Sequence, residues 1–251
     1  MIYITGDCHG DFRRFNTDIF PEQYEMTKED YVIICGDFGG VWDRLEEGSK
    51  EKWWLDWLNE KSFTTLFVDG NHENFDRLYD YPVEEWHGGK VHKIRDSVIH
   101  LMRGQVFELQ GIKIFTFGGA RSHDISSGIL DPNAPDFESK RKRLYLAGCS
   151  YRINHFSWWK EEMPSEEEME EGRRNLEKHN NQVDYIVSHC CATSTQAFYS
   201  HGGFEADELT DYFEELRQKV SFKKWFFGHY HDNKYISKDE IMLYEQVTRI
   251  W

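Results

Sequence analysis

The chain repeats one arrangement: a short run of β-branched and aromatic residues stops at a polar tip of aspartate, asparagine or histidine. Ile2-Tyr3-Ile4 leads to Gly6-Asp7, Tyr31-Val32-Ile33-Ile34-Cys35 to Gly36-Asp37, and Thr65-Leu66-Phe67-Val68 to Gly70-Asn71-His72. Tyr185-Ile186-Val187 leads to Ser188-His189, and Trp225-Phe226-Phe227 to Gly228-His229. Runs of this length and composition read as buried strands. Open α/β sheets place ligand sites at the carboxyl ends of their strands, so the repeated tips point to one shared site.

Helical patterns lie between these strands. Ser49 to Lys61 places Trp53, Trp54, Trp57 and Leu58 on one apolar face, and the tryptophans read as core. Ser165 with Glu168 three residues on is a capping box opening a helix towards His179, and the acidic run Glu161 to Glu171 reads as its solvated start. Glu205 to Arg217 carries Leu209, Tyr212, Phe213 and Leu216 on one side. Alternating strand and helix indicates an α/β layered domain. Val98 to Gly119, broken at Arg103-Gly104 and Gln110-Gly111, reads as an antiparallel meander, and Lys234 to Trp251 as a similar tail turning near Lys238-Asp239. Residues 121–160, with Lys140-Arg141-Lys142-Arg143, are the least regular stretch; they read either as a surface loop with a solvated charge run or as a cap over the site.

Composition narrows the function. A net charge of -15 argues against sequence-independent binding of duplex nucleic acid, which needs Lys and Arg to displace counterions. Bound cations would still admit a phosphorylated substrate. No stretch reaches the roughly 20 apolar residues of a membrane helix, and Met1 to Asp7 has no signal-like segment, so a soluble cytoplasmic protein is expected. Cys8, Cys35, Cys149, Cys190 and Cys191 form no C-x-x-C pair and read as reduced, packed thiols.

Asp7 and His9 stand two apart on chain leaving a strand, and so do His229 and His231 in Gly228-His229-Tyr230-His231; either pair can turn to one side. Gly70-Asn71-His72-Glu73 sets an amide oxygen beside an imidazole, a pairing that suits a divalent ion. D-x-H, GD, GNH[DE], a strand-terminal H and GH-x-H in that order resemble the calcineurin-like metallophosphoesterase superfamily, over nearly the whole chain from Asp7 to His231.

The resemblance implies a fold, a site and a reaction. The fold is an α/β sandwich of two mixed β-sheets flanked by helices, here one domain over residues 1–251 with 121–160 as a cap or specificity insertion. Asp7, His9 and His231 would hold one metal, Asn71, His189 and His229 a second, and Asp37 would bridge them. Imidazole and carboxylate donors without thiolate suit Mn, Fe, Zn or Ni. A metal-bound hydroxide would attack a phosphomonoester or phosphodiester, and His72 would stabilise the transition state or protonate the leaving oxygen, oriented by Asp43 or Glu73.

Some assignments compete. His201-Gly202-Gly203 resembles the H-G-G of phosphoprotein phosphatases, but the strand feeding His189 makes it the preferred ligand. His87, His92, His100, His123, His155 and His179 read as structural or surface residues. Arg121, after Gly118-Gly119-Ala120, is the candidate contact to substrate phosphate. A Ser/Thr protein phosphatase is the alternative, weakened because Asp37 is not followed by Arg-Gly and Asp69 rather than Arg precedes Gly70. A catalytically inactive metal-binding scaffold is the alternative from another class.

Overall fold

The computed structural model describes residues 1–251. In chain order it contains β1 (Ile2–Thr5), β2 (Tyr31–Ile34), α1 (Ser49–Asn59), β3 (Thr64–Phe67), α2 (Phe75–Leu78), β4 (Val83–Trp86), β5 (Gly89–Arg95), β6 (Val98–Leu101), β7 (Gln105–Leu109) and β8 (Ile112–Phe117). There follow β9 (Ile129–Leu130), α3 (Phe137–Leu146), β10 (Arg152–Ile153), α4 (Glu166–Lys178), β11 (Tyr185–Ser188), α5 (Thr193–Ser200), α6 (Glu208–Lys219), β12 (Lys224–Phe227), β13 (Lys234–Tyr235), β14 (Glu240–Met242) and β15 (Thr248–Arg249).

Two mixed sheets stack face to face. One has the order β15-β1-β2-β3-β6-β5-β4 and the other β13-β14-β12-β11-β8-β7. Alternation along each strand explains the stacking, because successive side chains point to opposite faces. Ile2, Ile4, Ile33 and Leu66 from the first sheet meet Ile114, Val187 and Phe226 from the second. The outer faces are covered too. Tyr3, Val32, Ile34 and Phe67 pack under Leu55 and Leu58 of α1, while Phe115, Phe117, Ile186 and Trp225 pack under Met169 and Leu176 of α4 and Leu209 and Phe213 of α6. With both faces buried, these strands are apolar at most positions, with only threonine, serine or a lysine near one end between, which is why they stood out in the sequence.

The strands that carry the polar tips run the same way within each sheet. β1, β2 and β3 are parallel neighbours, and so are β11 and β12. Their carboxyl ends therefore emerge together along the seam between the sheets.

Several expectations need correction. Val98 to Gly119 is not one meander: β6 pairs with β3 and β5 in the first sheet, while β7 and β8 form a hairpin in the second. The chain crosses between sheets at Met102-Arg103-Gly104, and the crossing is held by Asp69, which accepts from Arg103 Nε at 2.9 Å and Nη2 at 2.5 Å. The tail likewise divides, β13 pairing with β14 while β15 joins β1. Lys140 to Arg143 lies in α3, a helix with no buried residue, where Glu138 pairs with Arg141 one turn on at 2.9 Å. Trp53 is exposed rather than core, and α1 buries Glu51, Leu55 and Leu58 instead. Glu162 is buried, so the acidic run is not solvated throughout. The Ser165–Glu168 capping box forms as expected, and α6 begins at Glu208 behind its own cap, Asp207. No helix is long and apolar enough to cross a membrane.

Beside the crossing, Asp69 also accepts from His100 Nε2 at 3.1 Å, and His100 Nδ1 lies 3.0 Å from His92 Nδ1. If Nε2 of His100 carries its proton, Nδ1 is the acceptor and His92 the donor. Burial, reinforced by His100, pulls His92 from 6.5 down to about 4. The native state thus keeps it neutral while the unfolded chain takes up a proton near pH 6.5. Stability from this residue is complete above pH 6.5 and drains away as pH falls towards 4, by at most about 3 kcal/mol. The stability gap between wild type and His92→Asn should shrink over that interval in urea unfolding; a gap independent of pH would contradict the assignment.

Candidate metal centre

Each tip residue sits just past a strand, in backbone that turns sharply. Asp7 follows β1 and is fully buried; both its oxygens accept from the His229 amide, at 3.0 and 3.2 Å. Asp37 follows β2, also buried, and its Oδ1 accepts from the His72 amide at 2.8 Å. The loop after β1 hangs on the loop after β2, with the Cys8 and His9 amides donating to the Asp37 carbonyl at 3.1 and 2.7 Å.

His189, after β11, donates from Nδ1 to the Cys35 carbonyl at 2.7 Å. That bond fixes its tautomer and leaves a lone pair on Nε2, which lies 3.2 Å from Asn71 Oδ1 and 3.4 Å from Asp37 Oδ1. On the other side, His9 Nε2 is 3.0 Å from His231 Nε2 and 3.6 Å from Asp37 Oδ2. His231 Nε2 is 3.1 Å from Asp7 Oδ2. Ligand-type atoms of Asp7, His9, Asp37 and His231 all lie within 4.8 Å of one another. The His229 ring lies 5.0 Å from that of His189.

Electrostatics follow from this crowding. Burial alone would raise Asp7, but the His231 contact, His189 and the His229 amide outweigh it and hold the carboxyl below its ordinary value. His189 is lowered by burial and lifted more strongly by Asp37 and Asp7, ending above the usual imidazole range. Burial drives His229 well below that range, and lowers His9 and His72. Cys8 is buried and its thiol is pushed up to about 12 by burial, which removes it as a nucleophile at neutral pH.

The donor set fits cations. Asp7 and Asp37 form no ion pair with lysine or arginine; their only charged partners are histidines. Two buried carboxylates need compensation. His229 Nε2 is buried and has no hydrogen-bond partner, and an orphaned imidazole nitrogen beside the His189 ring is what a metal ion would satisfy.

Other candidates fall around this centre. His72 lies at the edge of a cavity with His9, whose ring centroid is 5.3 Å away. Neither proposed orienting group reaches it: Asp43 accepts from the Gly48 amide at 2.9 Å, and Glu73 accepts from Phe38 and Gly39 at 2.7 and 3.2 Å, bracing the loop after β2. His201 is exposed and ends α5, away from the cluster. Arg121 is exposed; its charge is felt by His123 and Asp207, and the His123 ring is 4.8 Å from that of His229.

Four residues escaped the reading of the site from sequence. Asn71 Nδ2 donates to Ser122 Oγ at 3.2 Å, and Ser122 donates in turn to Glu162 Oε2 at 2.6 Å. With its amide nitrogen so engaged, Asn71 turns its oxygen towards His189. Arg152, paired with Asp124 at 2.9 Å, brings its charge to bear on His72. Nothing in the order of residues marks these contacts, which join segments 40 and 28 positions apart.

A family model for calcineurin-like phosphoesterases matches residues 1–233. The chain belongs to that family. Among curated relatives it is similar to lariat debranching enzyme A of Xenopus laevis, 26% identical over 140 residues, and to lariat debranching enzyme of Danio rerio, 25% identical over 142 residues. These alignments cover 51% of this chain and 25% and 23% of the relatives, so the match spans about a quarter of their length. The family's motif order is therefore realised here as one spatial cluster at the carboxyl ends of parallel strands.

Gly36 has φ +90, and a Cβ there would come within 2.2 Å of His189 Nδ1. Gly128 has the same φ with nothing near it. Gly128→Ala should therefore cost only its backbone strain, about 1–2 kcal/mol, and Gly36→Ala that amount plus about 1–3 kcal/mol for displacing His189. Denaturant midpoints of the two variants measure the difference, and equal losses would show that His189 does not need the space.

Proposed function

We propose that this chain is a dinuclear metal-dependent phosphoesterase acting on a phosphomonoester or phosphodiester. The observation that carries the reading is the pair of buried carboxylates, Asp7 and Asp37, without a lysine or arginine partner, with the His229 backbone amide on Asp7 and its buried Nε2 unpartnered. In this reading Asp7, His9 and His231 hold one ion, Asn71, His189 and His229 the other, and Asp37 is shared. The donors come from strand ends of both sheets, so we read residues 1–251 as one catalytic unit, with 121–160 along the rim of the site.

Mn, Fe, Zn or Ni in these positions would supply Lewis acidity towards the phosphoryl group and towards water. The chain's own residues do the rest. His189 is locked in one tautomer by Cys35, and Asn71 in one rotamer by Ser122 and Glu162, so the donors are aimed before a substrate arrives. His72 is held through its backbone by Asp37 while its ring makes no hydrogen bond in the chain, leaving a ring N–H to donate to the leaving oxygen. Arg121 is assigned to the outer phosphate oxygens; Arg152, tied to Asp124, is the less free of the two cations.

With Mn²⁺, Ni²⁺ or Zn²⁺ present, the chain should turn over p-nitrophenyl phosphate or its bis ester. Asp37→Asn should abolish turnover, and His72→Ala should lower kcat by about 10²–10⁴-fold while metal content is retained. Ser122→Ala, which frees Asn71, should weaken metal affinity by about 10–100-fold in calorimetric titration. A phosphopeptide arm tests a protein phosphatase, and the relatives' names put a branched substrate on the panel. Tight metal binding with no turnover of any ester would leave a binding scaffold and end the catalytic reading.

A further inference from the structure

Next to His72 a cavity of about 310 Å³ opens whose walls include Phe12, Trp42 and Trp54, with Asp43 and Lys50 also lining it. Its inner end is formed by His9 and His72, so it begins where the leaving oxygen of a bound phosphoester would stand. We propose that this cavity seats the leaving group and that the leaving group is a nucleoside. The proposal rests on the phosphoesterase reading and adds the substrate class to it.

The wall is built rather than incidental. Glu51, buried on α1, accepts from the Trp42 amide at 2.9 Å and the Asp43 amide at 2.7 Å, and is paired with Arg77 at 2.6 Å. Asn74 Nδ2 and Arg77 Nη1 both donate to the Asp43 carbonyl at 2.9 Å. Residues from two helices thus fix a loop segment that would otherwise be free, and they place Trp42 between Trp159 at 5.9 Å and His72 at 6.4 Å. Trp54 meets Phe12 edge to face, 5.6 Å away. Both indoles are half-buried, leaving ring surface to offer.

The lining chemistry selects the occupant. Flat aromatic walls stack on planar rings, and such stacking tolerates any base. Asp43 spends Oδ2 on the Gly48 amide, while Oδ1 makes no hydrogen bond in the chain and can accept from an amino group at a ring edge. An alkyl leaving group would use neither feature. The volume is at the small end of ligand pockets, ~300–1,000 Å³, enough for one ring system with its sugar and too little for a polymer strand. In the reaction water forms the new bond to phosphorus and the bond from phosphorus to the nucleoside oxygen breaks. That oxygen keeps the electron pair and takes a proton from the His72 ring, the proton given up by the water restores the ring, and the freed nucleoside remains in the cavity.

The test compares AMP with ribose 5-phosphate, which differ only by the base, as ligands of the full Mn²⁺-loaded chain in calorimetry. AMP should bind at least about ten-fold more tightly, and the ratio should fall to about one in Trp54→Leu and in Trp42→Leu. Taking the ratio within each protein cancels any general damage a substitution does. A ratio near one in wild type, a ratio that survives both substitutions, or tighter binding of hexyl phosphate than of AMP would each overturn the proposal. None of these readouts needs turnover: hydrolysis of nitrophenyl esters with a ratio of one removes only the nucleoside, whereas a high ratio without hydrolysis of any ester removes the phosphoesterase reading and the leaving-group role with it, and leaves a nucleotide-binding cavity.

Discussion

Two carboxylates buried at the seam between two sheets set the terms for everything around them. Asp7 and Asp37 are buried from solvent and have no lysine or arginine to balance them, and isolated buried anions are among the costliest groups a fold can carry. The chain offers amides and imidazoles. Asp7 takes the amide of His229 from the second sheet, and Asp37 takes the amide of His72 from the neighbouring strand of the first. The same oxygens that face the histidine ring thus tie the strand ends together, so assembling the site and closing the sandwich are one event.

That arrangement is paid for in backbone strain. His9, Asp37, His229 and His231 all have positive φ, between 45 and 69 degrees, in a region that costs non-glycine residues about 1–3 kcal/mol each. The αL geometry turns each side chain back across the strand end and towards the centre. Such strain persists only over rigid support, which the fully buried strands beneath supply on both faces. A cation shared by these groups would return part of the cost, since ions that bind the native state alone stabilise it.

What was legible in the sequence follows from how local the signal is. The tips after β1, β2, β3, β11 and β12 could be read because a strand buried on both faces is largely apolar and its ligands follow within four residues. His189 and His201 could be weighed against each other for the same reason, and the structure puts only His189 in the cluster. Pairing partners were not legible. β6 looks continuous with β7, yet Arg103 reaches back to Asp69, and no spacing rule announces a buried ion pair 34 positions apart. The helix of Lys140 to Arg143 was hidden because a helix that buries nothing has no apolar periodicity. Trp53 misled in the opposite sense, since it shares a face by spacing with Trp57 but lies outside the stripe defined by Leu55 and Leu58.

The segment 121–160 meets the metal ligands at its two roots, while Arg152 and Asp124 within it act on His72 through their charge. At one root Ser122 fixes Asn71, and just past the other Glu162 fixes Ser122. Between them, β9 and β10 pair to close the segment on itself, Asp76 takes His155 at 2.8 Å and Trp159 at 2.7 Å, and Trp159 backs Trp42. Changes in exposed α3 can therefore alter what approaches the rim without moving a ligand. Changes at Ser122, Trp159 or Glu162 act on the amide oxygen and the indole next to the reacting centre. Function in this chain is thus supported from positions whose residue types, serine, tryptophan and glutamate, look ordinary until the fold brings them together.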